Sequence, residues 1–324
     1  MLESKILRNE LLAHHTTLRI GGPAEYFVRA DSRAELIEAV QWARDKQLEI
    51  FMLGNGSNIL VSDAGIRGVV IENHADQREI REKSESRERE SRERESRERG
   101  GNLEDEIRER ESRERVRVIA DSGASLPGLA NRLARQGWRG LEWAIGVPAT
   151  VGAAVVTNAG AHGGAVSDIL VRAEILDSQN EISWWTREKL RYEYRASFLK
   201  AHPKEFVVLR AEFELERDDA ANCIARMNQY TEHRRHTQPT EPSVGSMFKN
   251  PEGDYAGRLI EQAGLKGMRV GNVEVSRVHA NFFVNVGKGT AREIRELVEI
   301  VRGRVGEKFK VGLELEIQVV GVNE

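Results

Sequence analysis

Residues whose types and spacing could do chemistry gather first in FMLGNGSNILVSDAGIRGVVI, residues 51 to 71. Gly54 and Gly56 flank Asn55 and run into Ser57 and Asn58. Such a turn can present successive backbone N–H groups as an anion nest, with the Ser57 and Asn58 side chains adding contacts to a phosphate. A dinucleotide fingerprint needs a third glycine and a following helix. Here Ile59 takes the glycine's place and ILVSD reads as another strand, so that reading is excluded. A hairpin turn with glycine at positive φ explains the same residues and stays open. A second run, GLEWAIGVPATVGAAVVTNAGAHGGAV (140 to 166), is built of small residues, among them Gly146, Ala149, Gly152, Ala153, Ala154, Ala159 and Gly160. It lets backbone approach a flat or bulky group, or simply another element. Near the end, LELEIQVVG puts Glu314, Glu316 and Gln318 on one strand face and Leu313, Leu315, Ile317 and Val319 on the other. That polar face is either an acid in waiting or plain solvated surface.

These residues need elements to position them. Up to Arg217 the chain is rich in short β-type runs (AEYFVRA, EIFMLG, NILVSD, GVVIEN, VRVIADSG, RAEILDS, EFVVLRAEFELE), with a capped amphipathic helix at SRAELIEAVQWARDKQ. After 217 the texture changes to the helix DDAANCIARMNQYTEHRRH, carrying Ile224, Met227 and Tyr230, and the loop TQPTEPSVGS. Next come the helix YAGRLIEQAGLKG, the strand HANFFVNVG, the capped helix TAREIRELVEIVRGRVGEKFK and a last strand, LELEIQVVG. The pattern is α+β. It divides into 1–217, with lobes at about 1–76 and 116–217, and a second unit, 218–324, whose last strand could return to the first lobe.

The chain has 324 residues, 49 Lys plus Arg against 52 Asp plus Glu, and a net charge of -3, which gives no global pull toward nucleic acid or anionic membrane. One cysteine, Cys223, excludes an internal disulfide and any all-cysteine metal cluster, and no metal site is expected. No apolar run approaches the ~18 residues of a membrane span, and the start MLESKILRNELLAHH lacks the apolar core of a signal peptide. A cytoplasmic monomer is expected. Residues 78 to 115 hold 13 basic and 14 acidic side chains, a net of -1. Such a stretch cannot bury a core and has no excess positive charge for nucleic acid, so a solvated insert at about 77–115 is expected. Removing Arg78 to Arg110 should leave function intact.

The runs quoted, together with TTLRIGGPA, YRASFLK, EPSVGSMFKNP, AGRLIEQAGLKG, VSRVHANFFVN and GEKFKVGLELEIQVVG, resemble the UDP-N-acetylenolpyruvoylglucosamine reductase family in its shorter subtype. The resemblance covers nearly the whole chain outside the charged insert. It implies a two-lobed FAD-binding domain of the vanillyl-alcohol-oxidase type followed by a smaller α+β substrate-binding domain. FAD would be held non-covalently, NADPH would reduce it, and the same cavity would then take a UDP-sugar enolpyruvyl ether in ping-pong order. Ala149 and Ala153, where the family usually has glycine, and His162, where it usually has another aromatic, depart from the pattern.

The resemblance also assigns roles. Ser246 would give a proton to the substrate carbon, Arg195 would bind the enolpyruvyl carboxylate, and Glu316, rather than Glu314, would stabilise the enolate as a hydrogen-bond donor. Tyr194, Lys249, Asn250 and His279 would face the sugar nucleotide. Gly54, Asn55, Gly56, Ser57 and Asn58 would meet the FAD pyrophosphate, and Gly146, Val147, Thr150, Val151 and Gly152 the flavin or adenosine. A flavoenzyme with another substrate, or a silent FAD-binding protein, need not keep the Arg195, Ser246 and Glu316 set.

Overall fold

The structure is a computed structural model and describes residues 2–82 and 114–322. The first lobe contains β1 (Leu7–Leu11), β2 (Pro23–Ala30), α1 (Arg33–Asp45), β3 (Ile50–Leu53), β4 (Ile59–Val61) and β5 (Ile66–Asn73). β1, β2, β5 and β3 form one sheet in that order, with β2 and β3 parallel to β5 and β1 antiparallel to β2. The Ser32 hydroxyl caps α1 by accepting from Glu35 N, and Leu36, Ala39, Val40 and Ala43 form its buried stripe. That stripe packs on Val28, Ala30, Val69 and Ile71, and on Leu176, Val207 and Leu209 of the second lobe, so one core spans both lobes.

The second lobe has β6 (Arg78–Glu82), β7 (Arg115–Asp121), α2 (Leu126–Arg135), β8 (Trp138–Arg139), α3 (Val151–Thr157), the short hairpin β9 (Gly160–Ala161) and β10 (Gly164–Ala165), β11 (Leu170–Leu176), β12 (Ile182–Thr186) and β13 (Val207–Arg217). The sheet order is β12-β11-β13-β7-β6, all antiparallel, with β8 beside β13. The charged stretch is therefore not an excursion from end to end. Arg78–Glu82 pairs along β7, and Ile80 packs partly against the lobe's core, because one apolar residue and a free strand edge suffice to seat a short edge strand. The expectations for residues 83–113 lie outside the described residues.

The last part begins with α4 (Ala220–Thr237), which buries Cys223 and Met227 against Ala134 of α2. Then come β14 (Ser243–Ser246), α5 (Ala256–Gln262), β15 (Arg269–Val270), β16 (Val273–Val275), β17 (Phe282–Asn285), α6 (Ala291–Phe309) and β18 (Gln318–Val320). The sheet β14-β17-β16-β15 packs under α5 and α6 in a core that also takes in Leu18, Ile20 and Leu60 of the first lobe. α6 has a capping box between Thr290 and Glu293, and Asp63 of the first lobe accepts from the N–H groups of Ala291 and Arg292 at its start. β18 pairs parallel with β4. The expected strand LELEIQVVG is strand only at that end. Leu313–Ile317 instead runs beside residues 247–249 with a single bridge, Phe248 to Leu315, as the chain passes from one sheet to the other.

Candidate active site

The glycine loop joins two strands that belong to different sheets, so it is not a hairpin turn. Among the described residues, no hydrogen bond is taken from the backbone N–H of Asn55, Gly56, Ser57 or Asn58. They are donors awaiting an anion. Gly56 has φ 58, and a Cβ there would collide with the His15 carbonyl. A Cβ on Gly54 would stand 2.8 Å from Thr150 Oγ1. Gly54, Asn55, Gly56, Ser57, Asn58, Thr150 and Gly152 line a cavity of about 600 Å³ that runs on between β3 and the 203–208 segment. Its middle is walled by the methyl groups of Ala149 and Ala153, neither at positive φ, so the two departures cause no backbone strain.

Gly146, Val147 and Val151 do not line this cavity. Val151 is buried in the second-lobe core, and its N–H and that of Gly152 are taken by Ala124 and Ser122 carbonyls. Gly146 stands against Arg234 of α4, where a Cβ would strike the guanidinium. Arg234 Nη1 is buried without an acceptor, and burial holds this guanidinium below its ordinary range. Sequence reasoning missed Arg234, because a basic residue near a helix C-terminus is also what the helix dipole favours on a plain surface. Along the cavity, a diphosphate nest and glycines with no room for a side chain together fit FAD.

A second cluster lies beyond the loop. Arg195 Nε is 3.0 Å from Glu316 Oε1, an ion pair that lacks hydrogen-bond alignment, so this buried N–H also has no true acceptor. Arg195 Nη2 donates to the Gly160 carbonyl at 2.7 Å. Burial pushes the Glu316 carboxyl above the usual carboxylate range, against the pull of Arg195, Lys200 and Lys249. Glu314 instead is exposed and pairs with Lys249 at 3.2 Å. Two carboxylates from one sequence pattern thus part company, one in the cleft and one at the rim.

Ser246 ends β14, after Gly245 at φ 77. Glu316 N donates to the carbonyl of the next residue, Met247, which brings Ser246 beside the segment that carries the glutamate. Buried Asn281 clamps this segment: its carbonyl takes Met247 N, its Oδ1 takes Phe248 N and its Nδ2 donates to Phe248 O. Asn58 Nδ2 donates to Glu316 O at 3.4 Å, and Gln318 N to Asn58 O at 3.0 Å. Thr17 N donates to Gly56 O and its hydroxyl to Ser243 O at 2.6 Å. The glycine loop is therefore wired to both Glu316 and the Ser246 strand. Neither Thr17 nor Asn281 was singled out from sequence, since each acts through backbone groups far away in the chain.

Among the other expected residues, Asn250 uses Oδ1 to accept from Ala256 N at the start of α5, leaving its amide free to donate. His279 sits half-buried over Gly257, its Nδ1 accepts from Asn281 N, and burial lowers its pKa with help from Lys266. Tyr194 is 61% exposed, with the Arg195 guanidinium 5.5 Å from its ring centre. His162, at φ 52, stacks on Tyr230 with ring centres 4.3 Å apart.

A cavity with a diphosphate nest, walled by two lobes and bordered by β18, with an arginine of the second lobe and an acid of the last segment paired beyond the glycine loop, defines a flavin-dependent oxidoreductase. Residues 24–89 and 103–185 match the FAD binding domain model, and residues 238–320 match the model of the UDP-N-acetylenolpyruvoylglucosamine reductase C-terminal domain. The UDP-N-acetylenolpyruvoylglucosamine reductase of Rubrobacter xylanophilus is 40% identical over 313 residues, 97% of this chain and 94% of that one. That of Chloroflexus aurantiacus is 37% identical over 315 residues, 96% of each. The crystal structure of the Thermus caldophilus UDP-N-acetylenolpyruvylglucosamine reductase superposes with a TM-score of 0.73 at 33% identity, covering 97% of both chains. The chain belongs to the UDP-N-acetylenolpyruvoylglucosamine reductase family, and its cofactor is FAD. Among the described residues no helix is long and apolar enough to cross a membrane, and no group of His, Cys, Asp and Glu is placed to hold a metal.

Proposed function

We propose that this protein reduces UDP-N-acetylglucosamine enolpyruvate to UDP-N-acetylmuramate at the expense of NADPH, in the cytoplasm, for peptidoglycan synthesis. The observation that carries the reading is the half-buried Arg195–Glu316 pair, with the glutamate's backbone bonded to Met247 beside Ser246 and to Asn58 of the glycine loop. Asn55 to Asn58 would hold the FAD diphosphate through their free N–H groups. When bound, FAD would supply the hydride chemistry, taking a hydride from NADPH for delivery to the enolpyruvyl methylene carbon.

The chain's own residues manage charge and proton. Arg195 Nε–H, without an acceptor, is positioned to receive a substrate carboxylate oxygen, and a planar guanidinium keeps its charge throughout. Glu316, whose hold on its proton burial strengthens, would donate in its protonated form to the carboxylate oxygen on which enolate charge grows. Ser246 Oγ gives its proton to the carbon beside that carboxylate. Lys249, Asn250, His279 and Tyr194 would meet the sugar nucleotide, with 218–324 as the substrate-binding unit and 1–217 as the FAD-binding one, acting as a monomer.

The test is a split of half-reactions. Ser246→Ala should leave reduction of bound FAD by NADPH unchanged and slow its reoxidation by UDP-N-acetylglucosamine enolpyruvate by roughly 100-fold or more. Equal loss in both half-reactions would remove Ser246 from the role of proton donor.

A further inference from the structure

Arg195 occupies a backbone conformation that arginine seldom takes. It is the second residue of the two-residue turn Tyr194-Arg195, closed by reciprocal hydrogen bonds between Glu193 and Ala196, and its φ is 56. Glycine or asparagine is the ordinary occupant of such a position. The turn is fastened to α3 on one side: Asn158 Nδ2 donates to Glu193 O at 2.9 Å, Tyr192 OH to Val155 O at 2.9 Å and Ser197 Oγ to Val156 O at 2.5 Å. On the other side, among the described residues, one side chain holds it. Lys200 Nζ donates to the Arg195 carbonyl at 2.8 Å.

We propose that Lys200 is a positioning residue for the reducing step: its ammonium grips the Arg195 carbonyl, keeps the turn left-handed and so aims the guanidinium at Gly160 O and Glu316. This rests on the functional reading of Arg195 and Glu316 given above. Lys200 comes from the short helical turn Phe198–Ala201, and Ser197 Oγ, which caps that turn by accepting from Lys200 N, also anchors it to Val156. One small unit therefore ties the arginine's backbone to α3. Burial, then the positive charges of Lys249 and Arg195, hold the Lys200 ammonium below its usual range, with Glu316 opposing. A half-buried ammonium among two other cations is an unfavourable placement for a residue that serves only solubility. Its second effect is on Glu316, whose proton affinity its charge reduces.

The test uses the FAD-loaded full chain carrying K200M or K200R, with Arg195→Lys beside them. Enzyme reduced by dithionite is reoxidised with UDP-N-acetylglucosamine enolpyruvate, and oxidised enzyme is reduced with NADPH in a separate run. K200M should slow reoxidation about 10- to 100-fold, the usual range for losing a charged hydrogen bond, and leave reduction by NADPH near wild type. K200R, which keeps charge and donors, should recover most of that rate. The alkaline limb of the reoxidation profile should move to higher pH in K200M and stay in K200R. Should K200M purify without flavin, K200Q replaces it, with the same split expected. Equal slowing of both half-reactions, or wild-type reoxidation in K200M, overturns the proposal. If Arg195→Lys also reoxidises at the wild-type rate, the reading of Arg195 fails; if Arg195→Lys is slow while K200M is not, only the role of Lys200 falls.

Discussion

At Glu316 one side chain answers to two opposing influences. Burial raises its pKa, and the nearby Arg195, Lys200 and Lys249 charges pull it back without cancelling the rise. A carboxyl shifted upward keeps its proton longer in the folded protein than in the unfolded chain. Its contribution to stability therefore shrinks as pH rises above the ordinary carboxylate value. The working form in the proposed step is the protonated one, so reoxidation of the reduced flavin by substrate should fall as pH rises through the Glu316 pKa. Glu316→Gln, a permanent neutral donor of weaker acidity, should lose about 100-fold in that rate and flatten that limb; rapid-mixing rates across pH check both. The alternation of LELEIQVVG was legible in the sequence, yet it could not separate Glu314 from Glu316. What separates them is depth: Glu314 reaches the rim and Lys249, whereas Glu316 faces Arg195.

At the scale of elements, the glycine loop depends on contacts that no local pattern reveals. Gly56 is held at φ 58 under the His15 carbonyl and gives its own carbonyl to Thr17. Gly56→Ala should destabilise by about 1–2 kcal/mol from the left-handed conformation alone, and more from the collision; the expected readout is a lower melting temperature with a reduced FAD-to-protein ratio. The seam between the lobes carries a buried ion cluster. Glu174 of β11 is bonded by Arg33 of α1 at 2.7 Å and by Arg210 of β13 at 2.8 Å, and these bonds outweigh its burial and hold its pKa low. A depressed carboxyl stabilises above its unfolded pKa and loses that contribution as pH falls through the folded one. Glu174→Gln should cost about 3 kcal/mol at pH 7 and progressively less in acid, so denaturation curves of the two proteins should converge as the pH drops. Capped amphipathic helices such as α1 and α6 were readable because the cap and the buried stripe lie within a few residues of each other.

For the whole molecule, the third sheet is not an appendage. β18 lies along β4, Asp63 caps α6, Thr17 bonds Ser243 and Asn285 Nδ2 donates to Leu18 O, so four separate links fix the acid-bearing part onto the first lobe. None of these links involves the strands that border the charged stretch. β6 and β7 that flank it are paired from Arg78–Ala120 to Glu82–Val116. Excising residues 83–113 and closing the hairpin with a short Gly/Ser turn should leave FAD content and turnover close to those of the full chain, measured by flavin absorbance and NADPH oxidation. The larger excision, from Arg78 to Arg110, would also remove β6 and the partly buried Ile80, and should lower thermal stability.

The sequence by itself determined the α+β class, most strands and helices, the failure of the dinucleotide fingerprint and, through its ordered series of motifs, the family. These depend on short-range periodicity, on capping and turn chemistry within a few residues, and on resemblance carried by local strings. Only the tertiary structure decided that the glycine loop bridges two sheets, that Glu316 rather than Glu314 faces Arg195, and that Arg234 turns an unpartnered N–H toward Gly146. The physical reason is sequence distance. Asn58 and Glu316 are 258 residues apart, Thr17 and Ser243 are 226 apart, and burial and charge at such a meeting point arise from the encounter, which neither segment encodes alone.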